Sequence, residues 1–435
     1  MPRPDLAGAA VGIWGFGKEG QSLARIATQA GAARIDAVDD YGKGTLAPPR
    51  DIPNLTLWSG AEHLGRLREC DVVFVSPGIP WQQPLFVELR AGKQLCSAAQ
   101  WYLATYAGQT IGVTGTKGKS TTASFLAHLL AQLGVDALVA GNIGTPLSDL
   151  TPGPQTEIVA ELSSQQLASV HTSPTISVIT NLYSDHLDFH GDIDEYHRAK
   201  ANIFTHGGRV LITTPEVLGI LERLGITPPA QVRIVDPATV ARLDAADADY
   251  VMNYDHNVVN GALAAVAAAE VIGRPVRAAE FAAAVATFEA LPHRLQVVRR
   301  TGENRQRRWI DDTLATTGES VVAALHAMRP AERIALIVGG MDRHLDYRQL
   351  DEFLCSESRD VQLIQAPGNG TQIGRAFACA HPDRTHAVTG LDEAVRLAAQ
   401  LPVDVVLLSP GAASYDLYAN YVAKAQAFCE HIDAL

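Results

Sequence analysis

Residues 111–122 read Ile-Gly-Val-Thr-Gly-Thr-Lys-Gly-Lys-Ser-Thr-Thr, an apolar run followed at once by a turn rich in glycine, lysine and hydroxyl side chains. Such a turn between a strand and a helix leaves backbone N–H groups free to surround phosphate oxygens. In this kind of motif Lys119 lies near the β and γ phosphates, and Ser120 offers an oxygen to Mg²⁺. The pattern predicts a nucleoside triphosphate site whose contacts are Gly115, Thr116, Lys117, Gly118, Lys119, Ser120 and Thr121.

The motif is a shortened phosphate loop, because the full Gly-x-x-x-x-Gly-Lys pattern would place glycine where the chain has Val113. The alternative interpretation is a glycine-rich turn without a ligand. Apolar periodicity over residues 123–133 favours a helix after the turn, which is the context that a phosphate loop requires.

Length and composition indicate a globular protein of two to three domains, since the chain has 435 residues with 47% hydrophobic and 19% charged residues. A net charge of −12 argues against binding to nucleic acid. The five cysteines form no Cys-x-x-Cys pair, which favours a reducing compartment. The amino terminus lacks the layout of a signal peptide, and the chain has no long apolar stretch, so we expect a cytoplasmic protein without membrane insertion. We also expect a monomer.

The first hundred residues alternate short β-branched runs with helical segments, which predicts a parallel sheet. Its first turn, Gly15-Phe-Gly-Lys-Glu-Gly20, matches the Gly-x-Gly-x-x-Gly pattern of dinucleotide sites, and acidic residues follow the next strand. Residues 76–78 end a third strand at the same edge, where they are either ligand contacts or a simple turn. The predicted nucleotide contacts are Gly15, Phe16, Gly17, Lys18, Asp39, Asp40, Ser76, Pro77 and Gly78. The pattern leaves the nucleotide open, and an NAD-dependent oxidoreductase is one alternative.

The α/β alternation restarts twice along the chain. We predict a nucleotide-binding domain over residues 1–107, a central triphosphate-binding domain over 108–292 and a third domain over 293–435. The central domain is expected to end with two helices, over residues 257–272 and 278–291. In that domain Glu161 and residues 181–188 follow strands, at the edge where open α/β sheets place their active sites. Ser120 and Glu161 are our candidates for Mg²⁺, whereas a histidine placed like His186, taken alone, is more often a hydrogen-bonded structural group.

Further segments complete a set that runs in order along essentially the whole chain: Gly141-Asn-Ile-Gly144, Tyr196-His-Arg-Ala-Lys200, His256-Asn-x-x-Asn260 and Leu291-Pro-His-Arg294. Together with the phosphate loop, these segments resemble the Mur ligase family, and within it the ligases that add glutamate to UDP-N-acetylmuramoyl-L-alanine. The resemblance implies a Rossmann-like first domain that holds UDP in place of NAD. It also implies that ATP, with two Mg²⁺ ions, converts a carboxylate to an acyl phosphate that an amino acid then attacks.

The resemblance assigns roles to individual residues. Lys200 matches the family's carbamylated lysine, which with His186 would hold a second Mg²⁺; a solvated helix charge is the alternative. Asn142 would contact the substrate. The implied catalytic residues are Lys119, Glu161, His186 and Lys200, and further ATP contacts are Asn257, Asn260, Arg294 and Asp312. The implied glutamate contacts are Thr316, Arg343, Ser414, Tyr415 and Tyr421.

Two positions depart from the family pattern. Leu314 stands where a lysine is common, and Arg343 stands at another expected lysine. Because an arginine fork fixes a carboxylate in one plane, whereas an ammonium is a compact charge, these changes can re-aim the amino acid. D- and L-glutamate both remain open. Alternatives are another family member such as folylpolyglutamate synthase, which typically reads Gly-Lys-Gly-Ser in the loop, and a non-catalytic ATP-binding module.

Overall fold

The computed structural model describes residues 3–40, 49, 51–80, 82–92, 95–143, 145–239, 255–289, 291–302, 306–329, 331–343, 345–356, 359–415 and 417–435. The chain forms two compact units, Met1–Asp244 with Asn257–Ala286, and Ala245–His256 with Thr287–Leu435. Within the described ranges no helix has the length and apolar character needed to cross a bilayer.

The first unit begins with a five-stranded sheet in the order β3-β2-β1-β4-β5, in which all neighbours are parallel. Its strands are β1 Ala10–Trp14, β2 Arg34–Asp39, β3 Leu55–Ser59, β4 Val72–Val75 and β5 Leu95–Cys96. Its helices are α1 Lys18–Gln29, α2 Pro84–Ala91 and α3 Ala98–Tyr106. The apolar runs at β1 and β4 are almost wholly buried, as expected for parallel strands covered on both faces.

The first unit also contains a six-stranded parallel sheet in the order β11-β10-β9-β6-β8-β7. Its strands are β6 Thr110–Thr114, β7 Ala137–Gly141, β8 Glu157–Glu161, β9 Ile176–Ile179, β10 Val210–Thr213 and β11 Gln231–Ile234. Its helices are α4 Lys119–Gln132, α5 Ser164–Leu167, α6 Leu187–His190, α7 Ile193–Thr205, α8 Pro215–Arg223, α9 Asp255–Ile272 and α10 Ala278–Thr287. The prediction that the last helix continues to residue 291 is wrong, because α10 ends at Thr287, several residues before the helix-breaking Pro292.

The second unit contains a sheet in the order β12-β13-β17-β14-β15-β16, parallel except for the β12–β13 pair. Its strands are β12 Gln296–Thr301, β13 Arg307–Asp311, β14 Ile334–Val338, β15 Val361–Gln365, β16 Thr385–Ala387 and β17 Val405–Leu408. Its helices are α11 Gly318–His326, α12 Arg348–Ser356, α13 Arg375–Ala380, α14 Leu391–Gln400 and α15 Tyr421–Asp433. Short 3₁₀ helices elsewhere in the described chain are Ala61–Glu69, Ala107–Gln109, Leu147–Asp149, Pro237–Thr239 and Pro382–Arg384.

The strand orders decide which segments meet. In the six-stranded sheet of the first unit β6 lies between β8 and β9, so the turn after β6 shares one sheet edge with the residues that follow β8 and β9. In the second unit β17 lies between β13 and β14, which brings the loops after those three strands together. These carboxyl-end edges are where the predicted site residues lie.

Candidate active site

The phosphate-loop turn requires glycine at two positions. Gly115 has φ +148° and Gly118, which precedes α4, has φ +81°, both in the region that other residues rarely adopt. A Cβ on Gly115 would come within 1.9 Å of Thr180 Oγ1, and one on Gly118 within 2.6 Å of Asn260 Oδ1. A side chain at Gly115 or Gly118 would therefore collide with Thr180 or Asn260 and would also strain the backbone.

Residues at the end of β9 hold the turn in place. The backbone N–H of Thr116 donates to Asn181 O at 3.0 Å, and that of Lys117 donates to Asn181 Oδ1 at 2.8 Å. Thr180 Oγ1 donates to Lys117 O at 2.7 Å. Neither Thr180 nor Asn181 was a predicted site residue, although Asn181 begins the predicted strand-end segment of residues 181–188 and Thr180 directly precedes it. Their partners are more than sixty residues away along the chain, so no local pattern indicated the contacts.

Two lysines converge on this turn. Lys119 Nζ donates to Gly115 O at 3.0 Å and to Thr116 O at 2.9 Å, and Lys200 Nζ donates to the same Gly115 O at 2.7 Å. Lys200 is 1% exposed, which excludes the alternative of a solvated helix charge. Burial, and then the charge of Lys119, hold the pKa of Lys200 well below its ordinary value. Its amine is therefore biased toward the neutral form.

Glu161 is the last residue of β8 and lies at the same sheet edge as the phosphate turn. Its side chain is 1% exposed, and Oε1 accepts a hydrogen bond from Asn142 Nδ2 at 2.9 Å. Oε2 is buried without a protein partner, so one carboxylate oxygen still has its bonding capacity. The charge of Glu161 acts on Lys200, which places the two groups in one electrostatic environment. Gly144, from the same segment as Asn142, lies outside the described residues.

His186 is more exposed than Lys200 and Glu161. It precedes α6 with φ +50°, its side chain is 49% exposed, and Nε2 lies 4.0 Å from Asp185 Oδ2. Its ring centroid is 6.3 Å from that of Tyr196, whose hydroxyl donates to Thr116 Oγ1 at 3.1 Å. No group of three or more His, Cys, Asp or Glu side chains suited to a metal occurs in the described part of the chain.

The remaining predicted triphosphate contacts of the first unit lie at the start of α4 and on α9. Ser120 is buried in the first turn of α4, next to the half-buried Thr121. Asn257 and Asn260 are buried on α9, where Asn260 Nδ2 donates to Asn257 Oδ1 at 3.0 Å. Because Asn260 lies against Gly118, α9 contacts the phosphate turn directly. The side chain of His256 lies outside the described residues.

The first glycine turn, between β1 and α1, has the geometry that its pattern predicted. Gly15 has φ +88°, and its carbonyl accepts from Ser76 Oγ at 3.1 Å, which joins the ends of β1 and β4. A Cβ on Gly20 would lie 2.3 Å from Gly15 O, whereas one on Gly17 would meet nothing within 4 Å. Space beside Gly17 is thus open.

The other predicted contacts flank this turn. Phe16 is buried, whereas Lys18 and Gly78 are exposed and Pro77 is half-buried. Asp39 ends β2, and Asp40 Oδ1 accepts from Trp14 Nε1 at 3.1 Å. Asp40 therefore already has a protein partner in the first unit.

In the second unit, the segment around Arg294 is held by two consecutive carboxylates at the end of β13. His293 and Leu295 have φ of +65° and +48°, which is unfavourable for side chains of their size. His293 Nδ1 lies 2.7 Å from Asp311 Oδ2, and the N–H of Leu295 donates to Asp312 Oδ1 at 3.2 Å. Arg294 lies exposed between them. Burial raises the pKa of the Asp312 carboxyl to about 7, against the opposing hydrogen bond from Ser409.

The predicted glutamate contacts come from the three loops that meet in the second unit. The loop after β14 bonds to the loop after β17 through the N–H of Met341 and Ala413 O at 2.8 Å. Ser414 is 3% exposed and its hydroxyl has no protein partner. The half-buried Leu314 and Thr316 lie in the loop after β13. In the same loop, Ala315 O accepts a hydrogen bond from the N–H of Gly411, in the loop after β17. Arg343 and Tyr415 are exposed, and Tyr421 is half-buried with its ring centroid 5.4 Å from that of His293.

Sequence reasoning missed the residues that support these loops. Lys424, buried on α15, donates from Nζ to Gly339 O at 2.7 Å. Asn369 Nδ2 donates to the Tyr347 hydroxyl at 2.9 Å, which donates to Gly411 O at 3.0 Å. These residues fix the backbone at the loops after β14 and β17. A lone lysine on a helix and an asparagine in a loop gave no signal in the sequence.

The fold and the phosphate turn define a class of enzyme, and residues 113–214 match the Mur ligase middle domain. The chain is 36% identical to UDP-N-acetylmuramoyl-L-alanine--L-glutamate ligase of a Micromonospora species, over 99% of this chain and 98% of that protein. It is 31% identical to UDP-N-acetylmuramoylalanine--D-glutamate ligase of Nitrosococcus oceani, over 98% of this chain and 96% of that protein. The crystal structure of MurF ligase from Thermotoga maritima in complex with ADP has a TM-score of 0.58 at 16% identity, covering 98% and 95% of the two chains.

The chain therefore belongs to the Mur ligase family. The predicted fold class and the predicted enzyme class, a ligase that forms amide bonds, are confirmed. The domain boundaries and the roles of individual residues remain predictions.

Proposed function

We propose that this protein is an ATP-dependent ligase that joins L-glutamate to UDP-N-acetylmuramoyl-L-alanine, a step of peptidoglycan synthesis. The observation that carries the proposal is the phosphate turn itself, with two lysine amines on one carbonyl, in a chain 36% identical over 99% of its length to a ligase of that name. ATP as the phosphoryl donor is supported by the turn, since its amides and ammonium suit a triphosphate.

In the proposed reaction, the substrate carboxylate attacks the γ-phosphorus of ATP, and ADP leaves. The amine of glutamate then attacks the acyl phosphate, loses a proton, and expels inorganic phosphate as the amide forms. The Lys119 ammonium and those backbone N–H groups at the turn and the start of α4 that do not donate to Asn181 would hold the charge of the transferred phosphoryl group. No side-chain nucleophile is needed, because positioning and electrostatics supply most of the rate in phosphoryl transfer.

The residues at this edge suit Mg²⁺. Ser120 and Glu161 are hard oxygen donors, and the buried, unpartnered Oε2 of Glu161 is an acceptor of the kind that a cation satisfies. A lowered pKa favours the neutral amine of Lys200, the form that can take up CO₂ to become a carbamate, and His186 would share that second ion. Bound Mg²⁺ would neutralise charge on the phosphates during transfer.

The other substrates are assigned to the remaining sheet edges. UDP would lie at the turn of residues 15–20, with Asn142 facing the substrate's reacting end. Arg294 and Asp312 are assigned to ATP on the family resemblance alone.

L-glutamate is our choice between the enantiomers because Leu314 and Arg343 both depart from the lysines common in the family. The higher identity to an L-glutamate ligase than to a D-glutamate ligase supports it, at 36% against 31%. Ser414 offers a buried hydroxyl with unused bonding capacity, suited to the amino acid's carboxylate.

The test is ATP-dependent phosphate release and product mass with UDP-N-acetylmuramoyl-L-alanine and either glutamate enantiomer. We expect turnover with L-glutamate and at least a hundredfold less with D-glutamate. Lys119→Ala is expected to abolish turnover, whereas Gln132→Ala at the far end of the same helix is the matched control that retains it. Turnover with D-glutamate alone contradicts the enantiomer assignment. Turnover only with a folate acceptor, or NADH oxidation, supports the rival enzymes.

A further inference from the structure

Two loops of the second unit carry candidate contacts for the amino acid, and they meet at one short bridge. The loop after β14 carries Arg343, and the loop after β17 carries Ser414. Met341, two residues before Arg343, pairs with Ala413 in an isolated antiparallel bridge. Ala413 directly precedes Ser414. The separation of the two candidate contacts therefore depends on how the backbone around this bridge is held.

A chain of buried hydrogen bonds joins the same two loops through a third, the loop after β15. Asn369 in that loop is 0% exposed and binds Gly340 twice. The Gly340 N–H donates to Asn369 Oδ1 at 3.1 Å, and the Asn369 N–H donates to Gly340 O at 2.9 Å. Asn369 Nδ2 donates to the Tyr347 hydroxyl at 2.9 Å, which donates to Gly411 O at 3.0 Å. The chain thus begins one residue before Met341 and ends at Gly411, close to Ala413 along the backbone.

The direction of this chain is fixed by its two ends. The Gly340 N–H can only donate, so Oδ1 of Asn369 is the acceptor and the amide NH₂ faces Tyr347. The Gly411 carbonyl can only accept, so the single hydroxyl proton of Tyr347 points to it. Tyr347 is 7% exposed, and a Cβ on Gly318 would lie 3.3 Å from its ring. The hydroxyl is therefore held between the two loops by close packing as well as by its partners.

Packing of the core does not account for the hydroxyl. The Tyr347 ring already belongs to the apolar core of the second unit, where a phenylalanine ring would fill the same space. What the hydroxyl adds is the link between Asn369 and Gly411. Nearby, the hydroxyl of Ser414 is buried and has no protein partner. Because Ser414 is 3% exposed, the loop backbone decides where this free hydroxyl lies.

On the basis of the proposed function, we propose that Tyr347 and Asn369 are positioning residues for the incoming amino acid. They act through the backbone and not by contact with a substrate. Their hydrogen bonds hold the loops after β14 and β17 at the separation at which Arg343 and Ser414 engage one amino acid molecule. The phosphate turn and the first glycine turn lie in the first unit, so loss of this link weakens the binding of glutamate selectively.

Steady-state kinetics of the full chain with Tyr347→Phe tests the proposal. The substrates are ATP, UDP-N-acetylmuramoyl-L-alanine and the glutamate enantiomer that the wild type uses. The substitution keeps the ring but leaves Gly411 O and the Asn369 amide without their buried partner, so the loops lose their fixed separation. We expect the KM for glutamate to rise about tenfold, equivalent to about 1.4 kcal/mol. The KM values for ATP and for the UDP-linked substrate should stay within about twofold of the wild type, since their sites keep their contacts.

Thr301→Val is the matched control. Thr301 Oγ1 accepts from Trp309 Nε1 at 2.8 Å, a hydrogen bond of the same unit, and Thr301 pairs with Arg307 at the end of β13 opposite to the loops. Thr301→Val should lower the stability of the second unit, as Tyr347→Phe does, and leave all three KM values unchanged.

Asn369→Asp is a second variant that keeps the proposal testable if Tyr347→Phe folds poorly. Its carboxylate retains an acceptor for Gly340 but competes with Gly411 for the Tyr347 proton, so the KM for glutamate should rise here too. Combined with Tyr347→Phe, it should raise that KM by less than the product of the two single effects, because both act on one hydroxyl.

An unchanged KM for glutamate in folded Tyr347→Phe overturns the inference and leaves the proposed function intact. An equal rise of all three KM values, or the same glutamate effect in Thr301→Val, also overturns it, because a general loss of stability would then be the cause. Fully multiplicative effects of Tyr347→Phe and Asn369→Asp contradict the shared link. No turnover by folded wild type with either enantiomer overturns the proposed function, and the inference with it.

Discussion

Replacement of Asp312 by asparagine should stabilise the second unit above neutral pH while lowering ligase activity. Asp312 is 7% exposed at the end of β13, where Oδ2 accepts from Ser409 Oγ at 2.7 Å and Oδ1 accepts from the N–H of Leu295 at 3.2 Å. An asparagine keeps one acceptor oxygen for Leu295. The Ser409 hydroxyl can rotate to accept from the new amide, so both contacts survive the substitution.

The magnitude follows from the pKa of Asp312, which rises from 3.8 to about 7 on folding. Because the folded carboxyl holds its proton over a range where the unfolded one has lost it, stability falls as pH rises from about 4 to about 7. A difference of about three units corresponds to an upper limit of about 4 kcal/mol, reached above pH 7. Asparagine removes this penalty. Asp312→Asn should therefore gain about 2–4 kcal/mol at pH 8 and almost nothing at pH 4.

Hydrogen exchange of peptides from β13 and β17, measured at several urea concentrations, reports the opening free energy of the second unit. Asp392→Asn is the control, since that exposed carboxylate pairs with Arg396 on the surface and should show no gain at high pH. A less stable Asp312→Asn variant at pH 8, or a gain that does not change with pH, would refute the reasoning. An unchanged turnover number would argue against Asp312 as a functional residue.

Three further results are expected. Gly118→Ala should lose ATP binding and about 1–3 kcal/mol of stability, because its Cβ would meet α9. Gly134→Ala is the control, since Gly134 has a similar φ of +82° with open space around it, and this variant should keep ATP binding. Equal ATP affinity in the two variants would contradict the steric argument. Leu314→Lys combined with Arg343→Lys should raise the ratio of D- to L-glutamate turnover at least tenfold, and an unchanged ratio would remove these positions from specificity. ¹³C-labelled bicarbonate should give a carbamate NMR signal that is absent in Lys200→Ala, and a signal retained in that variant would place the carbamate elsewhere.

The sequence predicted those parts of the site that depend on local spacing. The phosphate turn and the first glycine turn could be located because each is encoded within about ten neighbouring residues. The shared strand-end edges followed from the α/β alternation, since parallel sheets place their loops in a predictable way. These features needed no knowledge of which strands are neighbours.

What the sequence could not give depends on contacts between distant segments. Asn181 holds the phosphate turn from the end of β9, and Gln166 contacts Glu19 from α5. The pair β12 and β13 was also missed, because arginines interrupt both strands and hide the apolar pattern that marks a buried parallel strand. The role of Lys200 was predicted from family resemblance alone, and its burial was not predicted, since lysine on a helix is ordinarily solvated.

The segment around Arg294 has a consequence for how mutations act at a distance. Leu295 adopts an unfavourable backbone conformation and yet is 7% exposed, with its side chain in the apolar core of the second unit beside residues of β13 and α11. Packing of Leu295, together with the two carboxylates Asp311 and Asp312, thus holds the backbone that carries Arg294. We therefore expect conservative volume changes in that core to shift the backbone at Arg294 without contact with any substrate. Screens for altered catalysis should therefore also find substitutions at aliphatic residues of this core, which contact no substrate.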